Sequence, residues 1–356
     1  MNINFHAPIN WTGYGLASLN IYKSLSKKQD NNISLFPIGG IHIDNHEDAK
    51  IIDIGIKNQT SFQYDAPCVK IWHQFDLAGK IGNGKYFAYP FFELTLFNDR
   101  EKHHLQFPDH LIVSSEWAKT ILLNNKIDKP ISVVPLGVDR TIFNEELYAN
   151  NSIPDKYIFI TVGKWEKRKS HDIIIELFNQ AFEPSDNVEL WMVTNNPFLS
   201  EEKTDAWHNL AMNTKMGRKI KLFPRIETQS GLAELISYAS CGIYISRSEG
   251  WNLDMLETMS LNKPVITTNY SAHTEFCNKS NSLLVEIDEL EDADDGIWFH
   301  GLGQWARIGE SQKEQTIHYM REVYKNRTTT NVHGIETAKI FSWENSADKL
   351  LRCIAN

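Results

Sequence analysis

Long apolar runs are absent from this 356-residue chain, and none approaches the ~18 consecutive apolar residues a membrane-spanning helix needs. The N-terminus, Met1-Asn2-Ile3-Asn4-Phe5-His6, lacks a basic region followed by an apolar stretch, so no signal peptide is expected. No basic amphipathic helix of the kind that lies on lipid is apparent either, so membrane insertion is not expected. Cysteine is scarce. Cys68, Cys241, Cys277 and Cys353 are far apart and show no metal-ligand spacing. Cys68 and Cys241 fall in apolar runs and read as buried thiols, which suits a reducing, cytoplasmic setting. An excess of positive charge is also missing: 36 Lys and Arg stand against 45 Asp and Glu, a formal net charge of -9. Seven of those acids, Glu286, Asp288, Glu289, Glu291, Asp292, Asp294 and Asp295, crowd one short run, and the rest of the chain is nearly balanced. The charge therefore neither announces a nucleic-acid binder nor excludes one. Finally, the glycine fingerprint of dinucleotide folds is incomplete. Gly13 and Gly15 follow the first strand, but Ser18 stands where the third glycine of G-x-G-x-x-G belongs. A tight turn and a phosphate-approaching loop both remain readings of that segment.

What is present is an ordinary globular composition, 42% hydrophobic and 23% charged, with ten Trp and eighteen Phe. The length suits two domains, each with its own core. Strand-like runs at Ile3–His6, Ser34–Ile38, Val69–Trp72, Tyr86–Tyr89, Leu111–Ser114 and Ser132–Pro135 alternate with helical segments. The helical segments include one from about Leu16 to Ser26 and one opened by Ser115 as N-cap. A polar stretch over 150–155 reads as a linker, and a second alternating unit follows. Its strands are expected at 157–163, 189–193, 220–223, 242–245 and 264–267, with helices at 171–181 and 230–240 between them. Phe341-Ser342-Trp343-Glu344 with Ala347, Leu350, Leu351 and Ile354 reads as an amphipathic helix capped by Ser342. Alternating strands and helices point to α/β architecture with two parallel, doubly covered sheets. The expected division is 1–150, 151–338 and a terminal helix over 339–356 that crosses back to the first domain. The two Rossmann-like halves are expected to face each other across a cleft.

The stretch with the most chemistry runs from Ser246 to Pro264. The apolar strand Gly242-Ile243-Tyr244-Ile245 breaks into a polar turn, and helical periodicity resumes at Leu253, Leu256 and Leu261. Strand, small-residue turn and helix start together present backbone N–H groups and a positive helix end to an anion. Glu249 in the turn and Glu257 inside the helix bracket that position, free to take hydroxyl groups on either side of a phosphate. This is the outline of a nucleotide-sugar site.

With these residues in view, the chain resembles the GT-B fold glycosyltransferases, specifically family 4. Val134-Pro135-Leu136-Gly137-Val138-Asp139, followed by Phe143, looks like the segment that closes the family's first domain. Gly163-Lys164-Trp165-Glu166-Lys167-Arg168-Lys169-Ser170 looks like its basic loop. Glu249-x7-Glu257 is similar to its E-x7-E motif, and Lys263-Pro264-Val265-Ile266-Thr267-Thr268 to the strand after it. The resemblance implies that Lys164 and Lys169 bind the donor diphosphate, with Arg168 compensating for Lys164 where the family usually has Arg. Their charge would offset what builds on the leaving diphosphate. It implies that Glu249 meets the sugar and Glu257 the ribose. Gly250, Trp251 and Leu253 would supply N–H groups, and Asn252 would adopt the left-handed backbone where the family has Gly. Gly15 joins the donor-binding set. On the acceptor side the resemblance implies a His from the first domain, for which His73 is the candidate, with Glu93 beside it, both at strand ends; Gly13 and Tyr14 are counted on the acceptor side as well. Retaining members have no agreed protein nucleophile; the departing phosphate takes the acceptor proton. No metal or other cofactor is expected, since GT-B members generally need none. Asp292-Ala293-Asp294 has the D-x-D form of metal-dependent sugar transferases but reads as a solvated loop, and His103-His104 with His110 as surface.

The reaction expected is sugar transfer from a nucleotide-diphosphate sugar, UDP-sugar by family habit, to a hydroxyl acceptor. A glycan is the first choice of acceptor. Duplex DNA carrying 5-hydroxymethylcytosine is the alternative, as in a phage-encoded enzyme acting in host cytoplasm. The Asn-, Lys- and Ile-rich composition and the basic segment Lys215, Arg218, Lys219, Lys221 and Arg225 suit the alternative. A non-catalytic nucleotide-sugar-binding protein is a further reading, which intact Lys169, Glu249 and Glu257 oppose.

Overall fold

The computed structural model describes residues 1–28, 30–151 and 154–355. It divides into two compact units, Met1–Asp139 with Phe341–Asn356, and Arg140–Ile340. Residues 152 and 153 of the expected linker lie outside the described residues.

The first unit carries strands β1 (Asn2–Ala7), β2 (Asn32–Pro37), β3 (Cys68–Lys70), β4 (Tyr86–Ala88), β5 (His110–Val113) and β6 (Ile131–Val133). They form one parallel sheet in the order β2-β1-β3-β4-β5-β6. Helices α1 (Gly13–Ser26), α2 (His46–Lys57), α3 (Asp99–Leu105) and α4 (Glu116–Asn124) connect the strands. Caps that the sequence carries fix several helix starts. Ser115 Oγ accepts from the Ala118 amide at 3.2 Å, and Asn98 with Glu101 closes a reciprocal capping box.

The second unit carries β7 (Tyr157–Val162), β8 (Val188–Val193), β9 (Ile220–Phe223), β10 (Cys241–Tyr244), β11 (Val265–Thr268) and β12 (Leu283–Val285), again all parallel. Its helices are α5 (His171–Ala181), α6 (Glu201–Met212), α7 (Gln229–Ser237), α8 (Leu253–Ser260), α9 (Glu310–Asn326) and α10 (Val332–Ile340). Every residue of β7 is buried, so its near-continuous apolar run is that of a central strand covered on both faces. Helix α11 (Trp343–Ala355) belongs to the first unit and packs on α1; the Ser346 hydroxyl donates to the Pro135 carbonyl at 2.7 Å.

Two expectations change. The run 290–295 is not a loop: β13 (Leu290–Asp294) pairs antiparallel with β14 (His300–Ala306), and Ala293 and Trp305 are fully buried. Asp292 and Asp294 remain solvent-exposed, on the outward positions of a strand. Gly13 and Gly15 form the first turn of α1, capped by Thr12, rather than a separate turn or loop ahead of it. Gly15 is needed there because any Cβ would stand 2.3 Å from the backbone oxygen of Asn10.

Topology locates the ligand positions. Read from the other edge, the second sheet runs β9-β8-β7-β10-β11-β12, so the chain reverses direction across the sheet between β7 and β10. In the first sheet the reversal lies between β1 and β3. Open parallel sheets bind ligands outside the carboxyl ends of the strands at such a switch point. The segments that follow these strands are 163–170 and 245–252 in the second unit, and 8–12 and 71–76 in the first.

Candidate active site

At the second unit's switch point the chain leaves β7 through Gly163, whose φ is +134°. A Cβ there would lie 2.8 and 2.9 Å from Cδ and Cε of Lys169, so the glycine makes room for the lysine that folds back over it. Residues Lys167–Lys169 form a short 3-10 turn, and Ser170, at φ +58°, redirects the chain into α5. The opposite segment leaves β10, passes Glu249 and reaches Asn252, at φ +84° and ψ +74°, which caps α8. Asn252 Oδ1 accepts from the Met255 amide at 3.2 Å. The amides of Leu253 and Asp254 lead the helix and have no acceptor within it, which makes the end of α8 a donor surface for an anion.

Between the two loops lies a buried charge lattice. Arg168 Nη1 donates to Glu249 Oε2 at 2.7 Å and to the Ser248 carbonyl at 2.6 Å, while Nη2 donates to Glu166 Oε2 at 2.8 Å. Lys169 Nζ donates to Glu249 Oε1 at 2.8 Å, and the Ser246 hydroxyl donates to the same oxygen at 2.9 Å. The Glu249 amide donates to Ser271 Oγ at 2.9 Å. Burial works against charge on the Glu249 carboxyl, but Arg168 and Lys169 overcome it and hold the group far below the usual carboxylate range. Burial alone would lower the Lys169 ammonium; Glu249 raises it instead. Asp254, at the start of α8, is raised by burial and by the neighbouring charge of Glu249, with Lys169 opposing. At pH 7 the lattice is a fixed set of ionised groups.

His273 sits beneath the turn, fully buried, and burial lowers its pKa to about 4. Because Asn252 Oδ1 is taken by an amide, Asn252 Nδ2 is the donor to His273 Nε2 at 3.0 Å. Nδ1 therefore carries the proton and meets the Thr268 carbonyl at 3.2 Å. This neutral histidine holds Asn252 in its left-handed conformation.

Of the residues expected from sequence, Arg168, Lys169, Glu249, Gly250, Trp251, Asn252, Leu253 and Glu257 all fall on these two loops and α8. Glu257 is buried on α8, and the Trp251 ring packs on Phe276 with centroids 4.8 Å apart. Lys164 stands apart. Its ammonium pairs with Glu166 at 2.8 Å and lies 5.3 Å over the Phe198 ring, with the side chain 43% exposed. Arg168, not Lys164, takes the central place beside Glu249. Gly13, Gly15, Tyr14, His73 and Glu93 belong to the first unit. There Tyr14 packs against His73, with ring centroids 4.5 Å apart, and His73 stacks on Phe75 at 5.0 Å. The Tyr14 hydroxyl donates to the Phe91 carbonyl at 2.6 Å and accepts from the Phe91 amide at 2.8 Å. Burial, and then the nearby charge of Glu93, raise the Tyr14 pKa well above its usual value. Gly15 is sealed against Asn10.

Arg247, Ser271 and His273 are site residues that the sequence reading missed. The signal for Arg247 was a lone arginine at the end of a buried strand, between Ser246 and Ser248. His273 and Ser271 lie 22–24 residues beyond Glu249 and carried no local signal. Among the described residues no group of His, Cys, Asp and Glu is arranged to hold a metal ion, and no helix is long and apolar enough to cross a membrane.

Residues 143–297 match the family described as Glycosyl transferases group 1. Over 175 residues the chain is 23% identical to an uncharacterized glycosyltransferase of Methanocaldococcus jannaschii, a stretch covering 47% of this chain and 41% of that relative. The chain thus aligns with less than half of that curated relative's length. Among solved structures, sucrose-phosphate synthase from Thermosynechococcus elongatus superposes with a TM-score of 0.72 at 14% identity, covering 99% of this chain and 98% of that one. HepE of Anabaena, solved in complex with UDP and glucose, superposes with a TM-score of 0.69 at 13% identity over 100% of this chain and 99% of that one. The fold is that of the GT-B glycosyltransferases, and residues 143–297 are similar to a glycosyltransferase domain of group 1.

Proposed function

We propose that the chain is a retaining glycosyltransferase of family 4 that moves a sugar from a nucleotide-diphosphate sugar, preferably a UDP-sugar, to a hydroxyl of a glycan. The observation that carries this reading is the Arg168–Glu249–Lys169 lattice beside the free end of α8, at the switch point of the second sheet. The donor diphosphate would lie against the Leu253 and Asp254 amides with Lys169 and Arg168 alongside. These groups neutralise the charge that grows on the phosphate as the sugar–oxygen bond breaks, so the reaction as proposed requires no metal ion. Glu249, held ionised, takes sugar hydroxyl groups, and Glu257 the ribose. The acceptor oxygen bonds to the anomeric carbon on the face the diphosphate leaves, and its proton passes to the departing phosphate oxygen. His73, Glu93, Gly13 and Tyr14 would form the acceptor side. The preference for UDP draws support from the Anabaena neighbour, solved with UDP and glucose and, separately, with UDP-glucose.

Three residues of the basic segment that made DNA an alternative acceptor are engaged within their own unit. Lys215 pairs with Glu183 at 2.9 Å, Lys219 donates to the Asp186 carbonyl at 3.0 Å, and Lys221 donates to the Arg218 carbonyl at 3.3 Å. That observation favours the glycan.

The test is release of nucleoside diphosphate from UDP-, GDP- and ADP-sugars, with neutral oligosaccharides and hydroxymethylcytosine duplex as parallel acceptors. UDP release that increases with an oligosaccharide is the expected result. No release and no ligand-induced thermal shift from any donor would overturn the reading, and sugar transfer to the duplex alone would replace the acceptor.

A further inference from the structure

The acidic run 286–295 has no part in the proposed chemistry, yet its Glu291 reaches the loop that carries Arg168 and Lys169. Arg247, 6% exposed in the turn after β10, connects them. Its amide donates to the Arg168 carbonyl at 2.7 Å. Its guanidinium crosses the switch point: Nη1 donates to the Lys167 carbonyl and, at 3.2 Å, to Ser170 Oγ. Nε donates to Glu291 Oε1 at 3.0 Å, and the Trp305 indole N–H donates to the same oxygen at 3.1 Å, which fixes the carboxylate on the hairpin. Two further ties join hairpin and site: Lys167 Nζ donates to the Asp294 carbonyl at 2.7 Å, and the Ala306 amide donates to the Arg247 carbonyl at 2.9 Å.

The basic loop has only a short 3-10 turn of its own, so its place beside Glu249 depends on what braces it. A guanidinium is a rigid planar fork, and one that bonds both loops fixes their separation as a lysine could not. Glu291 is the close carboxylate partner of this buried fork; the Asp172 carboxylate lies farther off, 3.9 Å from Nη1.

We propose that Arg247 and Glu291 are positioning residues, and that the β13–β14 hairpin is a brace setting Arg168 and Lys169 in place for the donor diphosphate. The proposal rests on the donor reading given above.

Glu291 is the residue to vary, because its side chain is 36% exposed whereas Arg247 is buried among charges. Glu291→Ala and Glu291→Gln are compared with the unaltered protein by titration with UDP, by Tm and by amide exchange over 164–170. Glu291→Ala is expected to bind UDP about tenfold more weakly and to exchange faster over 164–170, with the donor KM raised and the acceptor KM unchanged. Glu291→Gln, which keeps an acceptor oxygen, recovers part of the loss. A lowered Tm with unchanged UDP affinity would mark a merely structural contact and overturn the brace. If the unaltered protein fails to bind UDP, GDP or ADP, the donor reading falls and takes the brace with it. If it binds and Glu291→Ala binds equally well, only the brace falls.

Discussion

The switch points of the two sheets share a scaffold and differ in what fills them. In the second unit, segments 163–170 and 245–252 meet through ionised groups: Arg168, Lys169, Glu166 and Glu249 form a lattice with hydrogen bonds of 2.7–2.8 Å and little exposure. In the first unit, segments 8–15 and 71–76 meet through rings: Tyr14, Trp72, His73 and Phe75, with Phe75 39% exposed. A buried lattice of charge is rigid, because each member left unpaired costs several kcal/mol, and it suits a ligand whose charge is always the same. A cluster of rings holds its place by contact area and accepts varied partners by stacking. Under the proposed function the charged switch point would take the invariant diphosphate of the donor and the ring cluster the acceptor.

Glu249→Ala is the largest blow to this contrast. It leaves Arg168 and Lys169 buried without their shared carboxylate, at a cost of about 3–5 kcal/mol. Denaturant unfolding measures that loss, and the thermal shift caused by UDP should vanish with it.

Acid comes next. Burial holds His273 neutral, its pKa lowered to about 4, and His171 lower still at about 3, both in the second unit; His6, also at about 4, is in the first. These folded values lie below the unfolded value of 6.5, so the unfolded chain binds more protons at intermediate pH. The stabilisation is complete above pH 6.5 and is lost as pH falls toward 4, by on the order of 3 kcal/mol for His273. Hydrogen exchange resolved by unit should show the second unit weakening more, and His273→Gln should flatten its acid slope. Equal acid slopes in both units would break the comparison.

Gly163→Ala should cost about 1–3 kcal/mol, because the backbone is left-handed and the new methyl meets the Lys169 stem. UDP affinity, read by titration, should fall with stability. Tyr14→Phe is the mildest change. It removes both hydrogen bonds to the Phe91 backbone, costing about 1–2 kcal/mol, while the UDP shift stays as it was and acceptor KM rises. If Tyr14→Phe weakened UDP instead, the division of labour between the two ring and charge clusters would fail.

Much of the scaffold is legible in the sequence. The helix expected at 171–181 is α5 at the same residues, and the strand expected at 220–223 is β9. Ser115 and Ser342 cap as read, Ser342 Oγ accepting from the Asn345 amide at 3.2 Å. Asn252 was legible as a left-handed residue because only Gly, Asn and Asp tolerate that backbone readily. These are short-range matters, in which a residue's own sterics or a neighbour three positions away decides. The hairpin at 290–306 was not legible: its acids mask the alternation, and Asp295 closes its tip by accepting from the amides of Ile297, Trp298 and Phe299 at 2.7–2.9 Å.

By itself the sequence determined two α/β units, the turn that opens α8 and the set of charges placed near it, because periodicity, caps and backbone tolerance act over a few residues. The tertiary structure decided which of those charges meet. Arg168 rather than Lys164 joins Lys169 on Glu249, Arg247 links both loops to Glu291, and His273 supports Asn252 from 21 residues away. Those pairings depend on strand order, since β7 and β10 are neighbours in the sheet although some eighty residues separate Arg168 from Glu249. Only the assembled sheet brings that distant carboxylate within reach of the basic loop.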